Sequence, residues 1–461
     1  MPLTDTSFTP QATERIETRW RRIVTPLPVP ESIPLLNRLR SVEPRSVGGM
    51  PPIVWDRAEG FLIGDGYGNQ WIDLTSAIVM ANAGHGHPEI RKAIQQWLDR
   101  PLMSSYLFAQ EARLTLLEKL VELSPIPDSK TILFSSGTEA TECAMMLMRR
   151  HGQRIDSKKI GIVSFADGYH GRTLAAISAS GDPDRRDWIP RDQVSHYQIP
   201  FPYGPRWPWG DVSDDPTGEL AFARCIELLE RRGIGPDKIA GFIGETVPGW
   251  ATLPIPTGFA RALKKWAHEH DILVCLDEIQ CGCGRTGRWF GFEYSEIVPD
   301  LFTLGKGLSS SLPVSAVVGR SDVLDDPEAG DMSSKHSGSP ICAAAALANL
   351  QVLEEEKLIQ AAETTGGLVL NALDQLKRDY PEHIFSIHGP GLFISIHVQD
   401  PQTGEPAVEL ADSVAWEAVR RGVMMFVTRR GYLKFVPPLC IEPEAALEAV
   451  DVIRESFAQF I

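Results

Sequence analysis

Three short stretches bring together residue types that could do chemistry. The apolar run Ile272-Leu273-Val274-Cys275-Leu276 ends in Asp277-Glu278-Ile279-Gln280. A carboxylate at the end of a buried strand is costly unless a cationic or hydrogen-bonding partner meets it. A pyridinium nitrogen is one such partner: the negative charge keeps that nitrogen protonated, and a protonated ring accepts electrons from a carbon being deprotonated. A salt-bridged structural aspartate is the alternative. Further on, Leu301-Phe302-Thr303-Leu304 leads into Gly305-Lys306-Gly307. A lysine between glycines can approach a ligand closely, and partial burial lowers its pKa towards that of a nucleophilic amine; a plain surface lysine is the other reading. The third stretch is Ser135-Ser136-Gly137-Thr138-Glu139-Ala140, directly after an apolar run. Ser136 and Glu139 stand at capping-box spacing, so a helix starts here. Unpaired amides at that start, with a glycine beside them, make an anion site, although a capped helix that binds nothing reads the same way.

The elements that must position these residues alternate along the chain. Apolar periodicity predicts helix 110–123, strand 130–134, helix 139–150, strand 159–165, helix 217–232, strand 238–245, helix 257–269, and strands 272–278 and 300–306. Such alternation means βαβ units on a mostly parallel sheet, and ligands of open α/β sheets sit at the carboxyl ends of the strands. All three stretches follow such strand ends. The tail predicts helices near 342–356, 405–421 and 443–459 with strands 392–398 and 432–439 between them, a second α/β layer. Ahead of it all, residues 25–34 (TPLPVPESIP) predict an extended arm, poor material for a core, because proline fixes φ and donates no backbone hydrogen bond. Residues 60–74 predict two short strands bent at Asp65-Gly66.

Composition removes several function classes. With 461 residues, 43% hydrophobic, the chain can bury more than one core. A formal net charge of −15 argues against nucleic acid and against anionic membrane surfaces. The first residues carry no apolar leader and no stretch is long enough to span a bilayer, so a soluble, cytoplasmic protein is expected. Seven irregularly placed cysteines do not look like a disulfide framework, and Cys281-x-Cys283 lacks a second cluster, so no metal site is expected. Gly282-Cys283-Gly284-Arg285-Thr286-Gly287 spells a dinucleotide fingerprint, but Arg288-Trp289-Phe290-Gly291-Phe292 continues it as a strand-like run and not as a helix.

In this order, SSGTEATE, GYHGRT, LDEIQCGCGRTG and TLGKG resemble the class III pyridoxal-phosphate aminotransferases, as do DGYGNQWIDLTSAIVMANAGHGHPEI and KHSGSPICAAAALANL. The resemblance covers nearly the whole chain. It implies an α/β fold of fold type I, a large domain with a mostly parallel sheet flanked by helices plus a smaller α/β domain from both chain ends. The expected boundaries are 1–75 for the arm and part of the small domain, 76–342 for the large domain and 343–461 for the C-terminal part. It also implies a homodimer with active sites at the interface, pyridoxal 5'-phosphate as cofactor, and an amine and a keto acid or aldehyde as substrates. Lys306 then carries the cofactor as a Schiff base and moves the proton, and Asp277 pairs with the pyridine nitrogen. Gln280 lies near the phenolic oxygen, Ile279 packs on one ring face, Tyr169 stacks on the other, and Gly137 and Thr138 hold the phosphate. Glu245 matches an acidic residue of the family.

Three departures bear on substrate. Lys335-His336-Ser337-Gly338-Ser339-Pro340 stands where the family usually has Thr-His-Ser-Gly-Asn-Pro, so a lysine replaces the threonine that reaches the neighbouring subunit's phosphate. Lys434 stands where many members carry an arginine that grips a substrate carboxylate, and Trp250 where some place a glutamate. A point charge replaces a fork. An indole can stack on a sugar ring or take a cation on its face, which directs expectation to an amino sugar, as in aminoglycoside antibiotic pathways. An ω-amino acid such as 4-aminobutyrate, or an epimerase or racemase outcome on the same scaffold, is the alternative.

Overall fold

The computed structural model describes residues 8–181, 187–189, 195–203, 208–209, 215 and 217–461; residues 1–7, part of the stretch read for a leader, lie outside these. The chain divides into two compact units, one of residues 1–87, 285–287 and 357–461, the other of residues 88–284 and 288–356.

The N-terminal part of the first unit is a small sheet of β1 (Ile16–Glu17), β2 (Arg22–Ile23), β3 (Arg57–Glu59), β4 (Leu62–Gly64) and β5 (Gln70–Asp73). The bend between β4 and β5 is made as its residues suggest: Asp65 Oδ1 accepts the amides of Tyr67 and Asn69, both at 2.9 Å. The proline-rich arm departs from expectation. Leu27 is fully buried and Val29 nearly so. The backbone of Leu27 pairs both ways with Gln11, at 2.8 and 3.0 Å, so the missing proline donors are made up from the arm's other residues and its apolar side chains are free to pack.

The second unit is built on seven strands: β6 (Ser129–Phe134), β7 (Gly161–Phe165), β8 (His196–Ile199), β9 (Ile239–Glu245), β10 (Leu273–Asp277), β11 (Leu301–Leu304) and β12 (Ser315–Arg320), in the order β6-β12-β11-β10-β9-β7-β8. From β11 through β8 all pairings are parallel, whereas β12 runs antiparallel to both its neighbours. β7, β9, β10 and β11 are buried throughout, as parallel strands covered on both faces must be. Helix Gly137–Ile155 lays Ala140, Cys143, Ala144, Leu147 and Met148 on Ile162, Ile243, Cys275 and Val317. It can come this close because Gly241 faces it: a Cβ there would stand 2.2 Å from Met148 Sδ. Arg288–Phe290 forms bends and Phe292–Ser295 a short helix, so the expected strand-like run after the glycine fingerprint is absent; no long helix follows it either.

The C-terminal part of the first unit carries β13 (Ile384–His388), β14 (Ile394–Val398) and β16 (Tyr432–Phe435) as an antiparallel sheet, while β15 (Val423–Met424) joins β5. The longest helix among the described residues, Leu358–Asp379, has no counterpart among the expected elements. Thr364, Thr365, Gly366 and Gly367 are weak helix formers at its middle, and packing of Leu358, Ile359, Ala362, Val369, Leu373 and Leu376 overrides them.

Candidate active site

Parallel strands β9 and β10 end side by side, with Glu245 opposite Asp277 in register. Both are nearly fully buried. Asp277 is held from three directions: its Oδ1 accepts the Ile279 amide and the Thr303 hydroxyl, each at 3.0 Å, and its Oδ2 lies 2.7 Å from His170 Nδ1. Glu245 accepts the Tyr169 amide at 2.8 Å on Oε2, and the Gly249 amide and Gln280 Nε2 at 3.0 Å on Oε1. Burial pushes the Glu245 carboxyl above the usual range, against the pull of nearby His170.

β11 delivers Lys306 to the same place. Its φ of +42° lies in the left-handed region that a side chain rarely adopts, which is strain held at a site. Burial lowers the amine from the ordinary lysine value, and Asp277 and Glu245 oppose that shift.

The start of helix Gly137–Ile155 closes one side. Glu139 Oε2 accepts the amides of Ser135 and Ser136 at 3.1 and 2.8 Å, so the turn before the helix is fixed. At Gly137 a Cβ would come 2.9 Å from Ile279 Cδ1, so only glycine leaves the approach open. Gly171, with φ +133°, lets the chain pass against Thr138, whose hydroxyl meets that of Thr173 at 2.7 Å.

Gly137, Thr138, Tyr169, Glu245, Asp277, Ile279, Gln280 and Lys306 thus line one cavity of about 320 Å³. His170, Gly171 and Arg172 line it as well. Those three, with Thr303 behind Asp277, were not singled out by residue type. The signal was present in GYHGRT, which sequence reasoning used only for its tyrosine. His170 is buried, and its Nε2 has no hydrogen-bond partner among the described residues.

Trp250, Lys335 and Lys434, the three residues that depart from the family pattern, are not among the residues that line this cavity. Trp250 is 7% exposed and does not line this cavity; its ring packs edge-on against Phe201 and Tyr203, with centroids 5.9 and 5.6 Å away. Lys335 is exposed, its Nζ 3.9 Å from the centroid of the Tyr106 ring. Lys434 lies on β16 in the first unit, 2% exposed, its Nζ 5.1 Å from the centroid of the Phe393 ring. No helix among the described residues is long and apolar enough to cross a membrane, and no cluster of His, Cys, Asp or Glu in them could hold a metal ion.

Comparison with known proteins agrees with this arrangement. Residues 44–457 match the family described as aminotransferase class III. A 4-aminobutyrate aminotransferase of Mycobacterium leprae is 31% identical over 448 residues, 95% of this chain and 98% of that protein. An alanine/serine racemase of Pyrococcus horikoshii is 30% identical over 468 residues, 99% of this chain and 96% of that one. The crystal structure of the ornithine aminotransferase from Toxoplasma gondii, described with pyridoxal phosphate at its active site, superposes with a TM-score of 0.78 at 25% identity, covering 94% of this chain and 95% of that one. A cavity at parallel strand ends that joins a buried lysine, a hydrogen-bonded aspartate and a glycine-opened helix start, on a chain matched over almost its full length, makes this protein a member of the class III aminotransferases.

Proposed function

We propose that the cavity holds pyridoxal 5'-phosphate on Lys306 and transfers amino groups from an ω-amino acid to a keto acid or aldehyde. Asp277 carries the reading, with its two oxygens fixed by His170, Thr303 and the Ile279 amide. The residues fit the cofactor chemically. An anionic phosphate suits the amides and hydroxyl at Gly137 and Thr138, since a helix start favours negative charge. A cationic ring nitrogen suits Asp277, and an aromatic ring suits the space between Ile279 and Tyr169.

When bound, the cofactor supplies a ring that takes up the electron pair left as the amine's carbon loses a proton. The chain does the rest. Lys306, whose pKa burial lowers from the ordinary lysine value, would be the nucleophile that holds the cofactor and afterwards the group that carries the proton. Asp277 keeps the ring nitrogen protonated. His170, its Nδ1–H donated to Asp277, orients that carboxylate. Gln280, anchored on Glu245, would be the amide donor for the ring oxygen.

An ω-amino acid donor is favoured over an amino sugar by the position of Trp250: it is 7% exposed, outside the cavity lining and packed against Phe201 and Tyr203, so it is not the open stacking surface on which the sugar expectation rested. The likeness to a racemase supports one second reading, return of the proton to the same carbon. Seven free cysteines suit a reducing cytoplasm, and the exposed apolar side chains Leu102, Met103, Leu107 and Phe108 beside Lys335 suit a homodimer in which that lysine serves the neighbouring site.

The deciding experiment supplies single amines to the yellow enzyme without an acceptor and follows the absorbance together with the chirality of the amine. Transamination converts the cofactor stoichiometrically and stops until a keto acid is added. Loss of chirality without deamination would replace the proposal by the racemase reading, and faster conversion by amino sugars than by 4-aminobutyrate would restore the sugar donor.

A further inference from the structure

Helix Pro340–Glu355 carries an asparagine where its packing calls for an apolar residue. Its buried positions are otherwise Pro340, alanines, leucines and Val352, and Asn349 stands among them with no exposure at all. Asparagine is a poorer helix former than alanine, and its amide must leave water to sit there. Neither helix formation nor apolar packing explains the residue.

What the amide meets is the turn that follows Lys306. Asn349 Nδ2 donates to the carbonyls of Gly307 at 2.8 Å and of Leu308 at 3.0 Å. Two consecutive carbonyls thus converge on one NH2 group, which has two hydrogens to give. Asn349 Oδ1 is buried and has no partner among the described residues. An acceptor left unpaired in the interior is costly, so the amide is placed here for its NH2 alone. The same turn is closed from within by the Leu308 amide, which donates to the Gly305 carbonyl at 2.8 Å. Between Gly305 and Gly307 stands Lys306 at φ +42°. A residue with a Cβ is disfavoured in that region, and the conformation persists only where its surroundings over-determine it.

We propose that Asn349 is a positioning residue for the reaction: by fixing the Gly307 and Leu308 carbonyls it holds Lys306 in the left-handed region, so that the Cα–Cβ bond delivers the amine into the cavity. Relaxation of φ to negative values would swing that bond and take the amine away from Asp277 and Glu245, which line the cavity with it. The clamp is a property of the backbone; the use of the amine towards a cofactor rests on the transamination reading.

The test separates the two. Full-length Lys306→Gly and Lys306→Ala are compared without cofactor by urea unfolding, each with Asn349 and with Asn349→Leu. With Asn349 in place the glycine form should be the more stable, by about fivefold in the folding equilibrium constant, because glycine enters the left-handed region freely and alanine does not. With Asn349→Leu the order should reverse: the turn relaxes, and glycine then contributes only its greater freedom in the unfolded chain. A substitution that merely loosened packing would lower both forms alike and leave their order unchanged. In the protein that keeps Lys306, its amine condenses with the aldehyde of pyridoxal phosphate, forming a C=N bond and releasing water. That step should be about tenfold slower in Asn349→Leu, as misplacement of a reacting group predicts, read from the imine absorbance after cofactor is added to the apoenzyme. Should Asn349→Leu fail to fold, Asn349→Ala gives the same comparison. The same order of glycine and alanine in both backgrounds, no advantage of glycine beside Asn349, or an unchanged condensation rate overturns the proposal. A wild type that forms no imine, in a protein whose order does reverse, would remove the functional reading and leave the clamp.

Discussion

Lys306 in the seven-stranded unit and Arg285 in the other are both cations taken out of water, and they are held in opposite ways. Arg285 is fully buried, and its two terminal nitrogens donate to neutral acceptors: the carbonyls of Leu392 and Pro437 at 3.1 and 2.5 Å, Ser76 Oγ at 3.2 Å and Asn82 Oδ1 at 2.8 Å. Burial brings it down to about 9, still charged at neutral pH. Lys306 lies on a cavity in a strained backbone conformation, with two carboxylates nearby. A buried charge whose terminal nitrogens are tied to fixed acceptors is a structural tie; a buried amine on a cavity is available to react.

The sharpest break of this comparison is Lys306→Ala. It should lower transamination by several orders of magnitude while the fold survives, because nucleophile and proton carrier vanish together. Borohydride reduction of the wild type followed by peptide mapping should find the cofactor on Lys306. An active Lys306→Ala enzyme would end the assignment.

Arg285→Met should do the reverse, costing stability first. It leaves buried acceptors without donors, worth about 3–5 kcal/mol, seen as a lowered urea midpoint. Activity per folded molecule should change far less than the midpoint does; equal stability would mean that the tie is dispensable.

A gentler effect tests the electrostatics of Lys306. Burial lowers its pKa and Asp277 and Glu245 raise it, so cofactor attachment to the apoenzyme should show a midpoint below the ordinary lysine value of 10.5. Neutralising a carboxylate removes a charge that holds the amine's pKa up. Glu245→Gln should therefore move the midpoint further down, as should Asp277→Asn. A midpoint that rises in either variant would contradict the opposing roles of burial and the two carboxylates.

Smallest is the effect expected at Lys335, an exposed cation on the Tyr106 ring. Lys335→Ala should weaken cofactor retention by less than about 1 kcal/mol, and only at low salt. Equilibrium dialysis at two ionic strengths reads it, and equal retention at low salt would leave Lys335 a surface residue.

Much of the second unit was legible along the chain because its signals are local. Helix Thr257–Glu269 and the strand ends at Asp277 and Lys306 follow from apolar runs and what comes directly after them. The capping pair Ser136 and Glu139 acts within four residues of itself. Other features depend on residues far apart in sequence. Trp250 reads as an open aromatic face until Phe201 and Tyr203 pack beside it and leave it 7% exposed. His170 reads as one polar residue in a turn until β10 brings Asp277 to its Nδ1. Leu27 reads as part of an exposed arm until Gln11 pairs with it.

The sequence by itself therefore determined the α/β class, the strand ends and the residue types that could hold and use a cofactor. Those depend on periodicity and on neighbours within a few positions. Only the tertiary structure decided which distant polar groups meet, such as His170 with Asp277, and which aromatic rings are buried, such as that of Trp250. Such contacts join residues that no local pattern links, and burial alone makes them matter, since away from water each polar group must find its partner within the protein.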